Sequence, residues 1–136
     1  MKIDRQKVYK KYNGRCAYCG HKISIEEMEV DHITSKVLSE IRGESKEVDR
    51  IENLNPSCRI CNHYKRGAPL DDFRNWLLGE LHIRITKFPR RTKSPKTQKR
   101  KDYLQRVCER YGITPNKPFN RVFYFETIEE HEEDNV

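Results

Sequence analysis

Four of the five cysteines form two C-x2-C pairs, and this is the pattern in the chain best suited to binding a metal. The pairs hold Cys16 and Cys19 (CAYC) and Cys58 and Cys61 (CRIC), with 38 residues between Cys19 and Cys58. Paired cysteines in a reducing compartment usually bind metal or do redox chemistry, because disulfides do not persist there. A redox dithiol would need a single pair within a βαβ unit, and that context is missing. Two pairs supply four thiolates, so the sequence predicts a structural zinc site, with Cys108 as a packed thiol.

Polar residues able to do acid–base and metal chemistry lie between and just after the cysteine pairs. The segment MEVDHI predicts a short strand that ends at Asp31 and His32, with Ile23 and Ile25 in its hairpin partner. An imidazole can take a proton from water near neutral pH, so His32 could act as a base. Each residue also has an ordinary structural explanation, His32 as a surface histidine and Asn62 as a helix N-cap.

Four motifs together carry a resemblance to a known family. They are VDHI (30–33), ENL (52–54), CRICNHYKRG (58–67) and the framing CAYCG (16–20). Together they resemble the HNH endonuclease family over roughly residues 12–67, and VFYFE (122–126) is similar to the closing strand of small HNH proteins of phages and bacteria. The resemblance implies an α+β fold. Its ββα-metal core would be stapled by the four-cysteine zinc site, with additional C-terminal helices and a terminal strand.

The same resemblance implies a role for each motif residue. Asp31 and Asn62 would bind the catalytic divalent ion, and His32 would be the general base. Asn53 would bridge the loop between strand and helix and hold the base in its orientation. One carboxylate and one amide oxygen form a hard ligand set, which favours Mg²⁺ or Mn²⁺ over zinc. His63 ranks second to Asn62 as a ligand, because a helix turns by about 100° per residue.

The remaining elements are predicted from apolar spacing and turn residues. A short helix precedes Gly43, Asn55-Pro56 forms a turn into the second cysteine pair, and a helix starts near Asn62. A helix over residues 70–81 buries Phe73, Trp76, Leu77 and Leu81, and another over 102–111 ends at Gly112. The loop over residues 33–52 lacks the Pro and the Gly-Gly that many family members carry, and is longer than in the minimal motif.

The basic residues predict a polyanionic partner. The net charge is +7, yet the segment 126–134 holds six acids and no Lys or Arg, so residues 1–125 carry a net charge of +13. Residues 84–106 contain ten Lys or Arg and a single acidic residue, Asp102. Within them, the segment FPRRTKSPKTQKRK predicts an extended arm or loop. A solvated basic surface is the alternative explanation. The predicted phosphate contacts are Arg59, Lys65, Arg66, Arg90, Arg91, Lys93, Lys96, Lys99, Arg100 and Lys101.

Four segments follow from these patterns. They are an HNH nuclease core with an N-terminal helix and the zinc site (1–83), a basic arm or loop (84–101), a C-terminal helix and strand (102–126) and an acidic tail (127–136). No run approaches the roughly 18 apolar residues of a membrane span, and the first residues lack the apolar core of a secretory signal. We therefore expect a cytoplasmic protein of a bacterium or a phage-infected cell.

Two functions remain open on the sequence. The first is a metal-dependent DNA endonuclease or nickase that uses water activated by His32, with double-stranded DNA as its partner. The second is a zinc-knuckle module that binds nucleic acid without cleaving it. A chain of this size has one active site, so cutting both strands would need a homodimer or two encounters, and an accessory phage or bacterial protein would be a further partner.

Overall fold

The computed structural model describes residues 3–89 and 91–128, which group into two compact units. One unit contains residues 3–73 and 122–128, and the other contains 74–89 and 91–121. The helices are α1 (Arg5–Lys10), α2 (Lys36–Ile41), α3 (Arg59–Lys65), α4 (Leu70–Leu78), α5 (Leu81–Arg84) and α6 (Pro95–Tyr111). The strands are β1 (Glu29–His32) and β2 (Leu54–Ser57), and 3-10 turns cover Ser45–Glu47 and Ile51–Asn53. Within the described ranges, no helix has the length and apolar character needed to cross a membrane.

The strand that ends at His32 pairs with β2, not with the predicted partner around Ile23. The two strands are antiparallel, with Asp31 opposite Asn55 and Val30 opposite Pro56. The predicted turn at Asn55-Pro56 is therefore part of a strand. The Pro56 carbonyl accepts a hydrogen bond from the Ala17 amide at 2.8 Å. The N and C=O groups of one strand residue face the same edge, so the missing N–H of Pro56 does not interrupt the ladder with β1.

An aromatic cluster forms the core around the first cysteine turn. The ring of Tyr18 meets those of Phe73 and Phe123 edge-on, with ring centroids 5.4 Å apart in both pairs, and Phe125 lies 6.0 Å away. Residues 124–128 are helical, where a closing strand was expected at 122–126. The amide of Phe125 donates to the Ala17 carbonyl at 2.9 Å, so this segment binds the cysteine turn and not the sheet.

The second unit contains more helix than the sequence indicated. The Ser94 hydroxyl accepts a hydrogen bond from the Thr97 amide at 3.3 Å, and Pro95 occupies the first turn of α6. Because proline is well tolerated there, the predicted basic arm is helical from Pro95 onward. Gly112 ends the helix at φ +65°, as expected. Of the predicted acidic tail, residues 129–136 lie outside the described part of the chain, as does Arg90.

The helix predicted over residues 70–81 is divided in two. The first helix, α4, ends at Leu78, Glu80 has a φ of +63°, and α5 starts at Leu81. Phe73, Leu77 and Leu81 are fully buried, as predicted, but Trp76 is 44% exposed. The buried stripe therefore follows the i, i+4 positions and does not include the tryptophan.

Candidate active site

The four cysteines of the two pairs converge on one point. Each sulfur lies within 4.8 Å of the other three, and the sulfurs of Cys19 and Cys58 are 3.9 Å apart. Four sulfurs placed tetrahedrally at about 2.3 Å from a zinc ion would be about 3.8 Å from one another. The cluster therefore fits one metal ion. Burial raises the pKa of Cys61. Burial also raises the pKa of Cys108, to about 11, which keeps that thiol neutral. Cys108 lies in α6 and does not belong to the cluster.

Asp31 lies in a buried polar network on the inner face of β1. Its side chain is 4% exposed and accepts a hydrogen bond from the Tyr18 hydroxyl. The ammonium of Lys65 lies 3.3 Å from one carboxylate oxygen and 3.2 Å from the other. Burial raises the pKa of Asp31, and the charge of Lys65 and the two hydrogen bonds oppose that rise. The same network raises the pKa of Tyr18, mainly through burial and the nearby carboxylate.

Asn62 faces β1 from the middle of α3. Its amide nitrogen donates to Glu29 Oε1 at 3.1 Å, so its carbonyl oxygen points elsewhere and can serve as a ligand for a cation. Glu29 and Asp31 lie on one face of β1, since side chains alternate along a strand. This face meets positions 62 and 65 of α3, one helical turn apart.

His32 contacts a carboxylate from the long loop. Its Nε2 lies 2.8 Å from Asp49 Oδ1, and both side chains are partly exposed. The hydrogen bond to His32 lowers the pKa of Asp49 and keeps it ionised. An anionic acceptor favours a proton on Nε2, which leaves Nδ1 as the basic nitrogen of the neutral ring.

Asn53 connects the two ends of the long loop. Its side-chain oxygen accepts a hydrogen bond from the Thr34 amide at 2.8 Å, and its nitrogen donates to the carbonyls of Thr34 at 3.0 Å and Val48 at 2.8 Å. Thr34 lies two residues after His32, and Val48 immediately precedes Asp49. One side chain thus links the two chain segments that carry His32 and Asp49.

A cleft of about 260 Å³ brings three of the predicted site residues together. Asp31, His32 and Asn62 all line it, beside Lys36 and Arg66. Arg66 has a φ of +55°, an uncommon conformation for a non-glycine residue, at the point where α3 ends. His63, the second choice as a ligand, is exposed on α3 and is not among the residues that line this cleft.

The cleft offers two oxygen ligands to a catalytic divalent ion, one from Asp31 and one from Asn62. A carboxylate offers about four lone-pair positions. The Tyr18 hydroxyl donates to Asp31 Oδ2 and the Lys65 ammonium donates to Oδ1, so these two hydrogen bonds leave acceptor capacity for a cation. One carboxylate oxygen together with the Asn62 carbonyl oxygen fits Mg²⁺, which keeps most of its waters and uses few protein ligands. The residues fit a weakly held hard ion.

The predicted phosphate contacts have unequal exposure. Lys65 differs from expectation, because it is 0% exposed and its ammonium contacts Asp31 and the His32 carbonyl. A group paired in this way does not reach a phosphate. Arg59 and Arg66 are exposed at the two ends of α3. Most of the predicted phosphate contacts in the second unit are exposed, namely Arg91, Lys93, Lys96, Lys99 and Arg100. Lys101 is half-buried, and its ammonium donates a hydrogen bond to the Pro89 carbonyl at 3.2 Å.

Four contributors to this region were missed from the sequence: Tyr18, Glu29, Lys36 and Asp49. The alternation of Glu29 and Asp31 on β1 could have indicated that both face α3. Nothing in the pattern could have paired Asp49 with His32, because the conformation of the 20-residue loop decides that contact.

Part of the chain is similar to a known family. Residues 16–67 match the family described as HNH endonuclease, a range that contains the four cysteines and the residues of the cleft. A comparison with curated proteins found no match. Residues 16–67 therefore match an HNH endonuclease domain and hold four cysteines positioned to bind one metal ion, and the predicted α+β fold is confirmed there. This domain indicates a nuclease or nucleic-acid-binding role.

Proposed function

We propose that the protein is a metal-dependent DNA endonuclease that hydrolyses phosphodiester bonds with water activated by His32. One observation carries this proposal: Asp31, His32 and Asn62 line a single cleft inside the HNH region. Hydrolysis of a phosphodiester needs a base, a stabiliser of negative charge and a place for the phosphate. The cleft offers a residue for each need.

His32 supplies the base in this mechanism. The carboxylate of Asp49 on Nε2 leaves Nδ1 free to take the proton from the attacking water. As the ring becomes an imidazolium, the negative charge of Asp49 stabilises it. Through its three hydrogen bonds to the loop, Asn53 keeps the imidazole of His32 and the carboxylate of Asp49 in a fixed relative orientation.

Asp31 and Asn62 would hold the divalent ion, Mg²⁺ or Mn²⁺. When bound, such an ion supplies Lewis-acid stabilisation of the charge that develops on the phosphate and the leaving oxygen. Lys36 and Arg66 line the same cleft and are exposed, so they can contact the backbone phosphates on either side of the scissile bond. Zinc in the four-cysteine site would stabilise the fold and take no part in the reaction.

One observation favours the alternative, a zinc-knuckle module that binds nucleic acid without cleaving it. Both oxygens of Asp31 contact the buried ammonium of Lys65. If this ion pair satisfied the carboxylate completely, Asp31 would serve the fold only. Binding would then remain and cleavage would be absent.

Plasmid cleavage distinguishes the two functions. Supercoiled DNA is incubated with the zinc-loaded protein and Mg²⁺ or Mn²⁺, beside a sample with EDTA. We expect metal-dependent conversion to nicked or linear DNA, and the ratio of these products shows whether one or both strands are cut. Salt-sensitive DNA binding without cleavage, with either Mg²⁺ or Mn²⁺, would contradict the nuclease proposal and support the binding module.

Replacing Asp49 by asparagine is expected to lower the rate of plasmid cleavage by about tenfold. The amide can still bond to His32, but it lacks the negative charge that stabilises the imidazolium and it does not select one tautomer. Single-turnover nicking measures the change in the cleavage rate.

The matched control for Asp49→Asn is Glu47→Gln, because Glu47 is an exposed carboxylate of the same loop, with Arg50 at 3.5 Å as its ion-pair partner. It should alter the rate by less than about twofold. Equal decreases in the two variants would contradict a specific role for Asp49.

The exposed basic face of α6 is expected to contribute to DNA affinity. Lys96, Lys99 and Arg100 lie at helical spacing on this face and are exposed. Replacing all three with glutamine should lower the salt slope of duplex binding by about 0.9 for each phosphate that α6 no longer neutralises. Fluorescence anisotropy over a range of salt concentrations measures the slope.

The control for this variant removes the same charge elsewhere. Lys7, Lys10 and Lys22 are exposed in the other unit, and their replacement by glutamine leaves α6 intact. A slope that falls equally in both triple variants would show that net charge, and not the face of α6, controls binding.

A further inference from the structure

We propose that the turn between the first two cysteines positions a catalytic group as well as binding metal: through the Tyr18 hydroxyl it orients the carboxylate of Asp31. Tyr18 is then a positioning residue, and it couples the structure of the four-cysteine site to that of the cleft. This inference rests on the proposed nuclease function for its catalytic meaning, but the contact itself does not depend on that function.

The position of Tyr18 in the chain makes it suitable for this role. It lies between Cys16 and Cys19, so a metal ion bound by these cysteines would restrain its backbone on both sides. Its carbonyl accepts a hydrogen bond from the Tyr124 amide at 3.1 Å, and the preceding residue bonds to β2 through the Pro56 carbonyl. The backbone of this tyrosine therefore has little freedom to move.

The ring and the hydroxyl of Tyr18 are equally restrained. The ring is 1% exposed and is packed by Phe73, Phe123 and Phe125. The hydroxyl donates to Asp31 Oδ2 and accepts a hydrogen bond from the side-chain nitrogen of Asn55 at 3.4 Å. A donor with a fixed ring and a second polar partner can hold one carboxylate oxygen in one place, as the partners of metal-binding side chains commonly do.

The second cysteine pair is linked to the same carboxylate through α3 and Lys65. Cys58 caps α3, with its sulfur accepting a hydrogen bond from the Cys61 amide at 3.4 Å. The same helix carries Lys65, whose ammonium contacts both oxygens of Asp31. A metal ion bound by the cysteines would therefore restrain the segments that carry both partners of Asp31, Tyr18 with the first cysteine pair and Lys65 with the second.

The test compares two tyrosine variants that each remove one hydroxyl. Tyr18→Phe keeps the aromatic packing and deletes the contact with Asp31. Tyr9→Phe is the matched control, because the Tyr9 hydroxyl donates to the Ile23 carbonyl at 2.9 Å and does not touch the cleft. The zinc content of both proteins is measured first. The readouts are the carboxyl ¹³C resonance of Asp31 and the Mn²⁺ concentration that gives half-maximal plasmid cleavage.

We expect Tyr18→Phe to retain zinc, to shift the Asp31 resonance and to raise the half-saturating Mn²⁺ concentration by about tenfold or more. Tyr9→Phe should leave both readouts at the wild-type values. An unmoved Asp31 resonance in Tyr18→Phe, or equal effects of the two variants, would overturn the proposal.

A second measurement needs no substitution and covers the case in which Tyr18→Phe does not fold. Incorporating 3-fluorotyrosine makes every tyrosine hydroxyl a stronger donor, and the structure places the Tyr18 hydroxyl on Asp31. The Asp31 resonance should move in the labelled protein, and a constant resonance would overturn the inference. If the wild type does not cleave DNA, the nuclease proposal fails, while these resonances still decide whether the Tyr18 hydroxyl holds the Asp31 carboxylate.

Discussion

Replacing His32 with alanine is expected to lower the rate of plasmid cleavage by about 10²- to 10⁴-fold, the usual contribution of a general base. His32 lies at the end of β1, lines the cleft and has its Nε2 at 2.8 Å from Asp49. Its side chain is not part of the buried core, so the variant should keep its fold and its zinc. Single-turnover nicking at saturating Mn²⁺ isolates the chemical step from metal and DNA binding.

The control for this prediction is His21→Ala. His21 has an exposed side chain in the turn after the first cysteine pair and does not line the cleft. Its removal should leave the cleavage rate near the wild-type value. If His32→Ala kept full activity, the proposed mechanism would have the wrong base. If both variants became inactive and zinc-free, the effect would be one of folding.

Replacing Cys61 with serine is expected to unfold the unit that contains the HNH region. Cys61 is fully buried and its sulfur belongs to the four-cysteine cluster. Structural zinc contributes on the order of 10 kcal/mol, whereas whole domains are stable by only about 5–15 kcal/mol. Removing one ligand should therefore abolish both zinc binding and the folded state. Metal analysis and circular dichroism measure the two effects, and a strong chelator should reproduce them in the wild type.

Cys108→Ala provides the comparison for the cysteine prediction. Cys108 is buried in α6, in the other unit, and lies outside the cluster. Its replacement should leave the zinc content unchanged and cost about 1 kcal/mol of stability through poorer packing. A folded, zinc-free Cys61→Ser protein with wild-type stability would contradict a structural role for the metal.

The cysteine cluster and the HNH motifs of this protein could be predicted from residue types and their spacing. Two C-x2-C pairs imply a four-thiolate site wherever the chain brings them together, because tetrahedral coordination needs four such ligands. The motif resemblance located the HNH domain, and the match over residues 16–67 confirms it. Asp31, His32 and Asn62 line one cleft, but their catalytic roles remain predictions.

The local elements were predicted less completely, for reasons that lie in tertiary contacts. Strand β1 pairs with Leu54–Ser57, which lies more than 20 residues further along the chain, and the hydrophobic spacing of the sequence does not reveal so distant a partner. The exposure of Trp76 could not be read from its spacing, since spacing gives a face of a helix but not how much of that face is covered.

The sequence by itself determined which groups this protein can use: four thiolates, an acid–histidine pair, two asparagines and a basic body. Only the tertiary structure decided what each group does with its neighbours. Lys65 was expected on a phosphate, yet it is fully buried against Asp31. Asp49 reaches His32 and Tyr18 reaches Asp31 across 17 and 13 residues of chain. The physical reason is that a hydrogen bond or ion pair depends on distances of about 3 Å, and only the packing of the folded chain sets those distances.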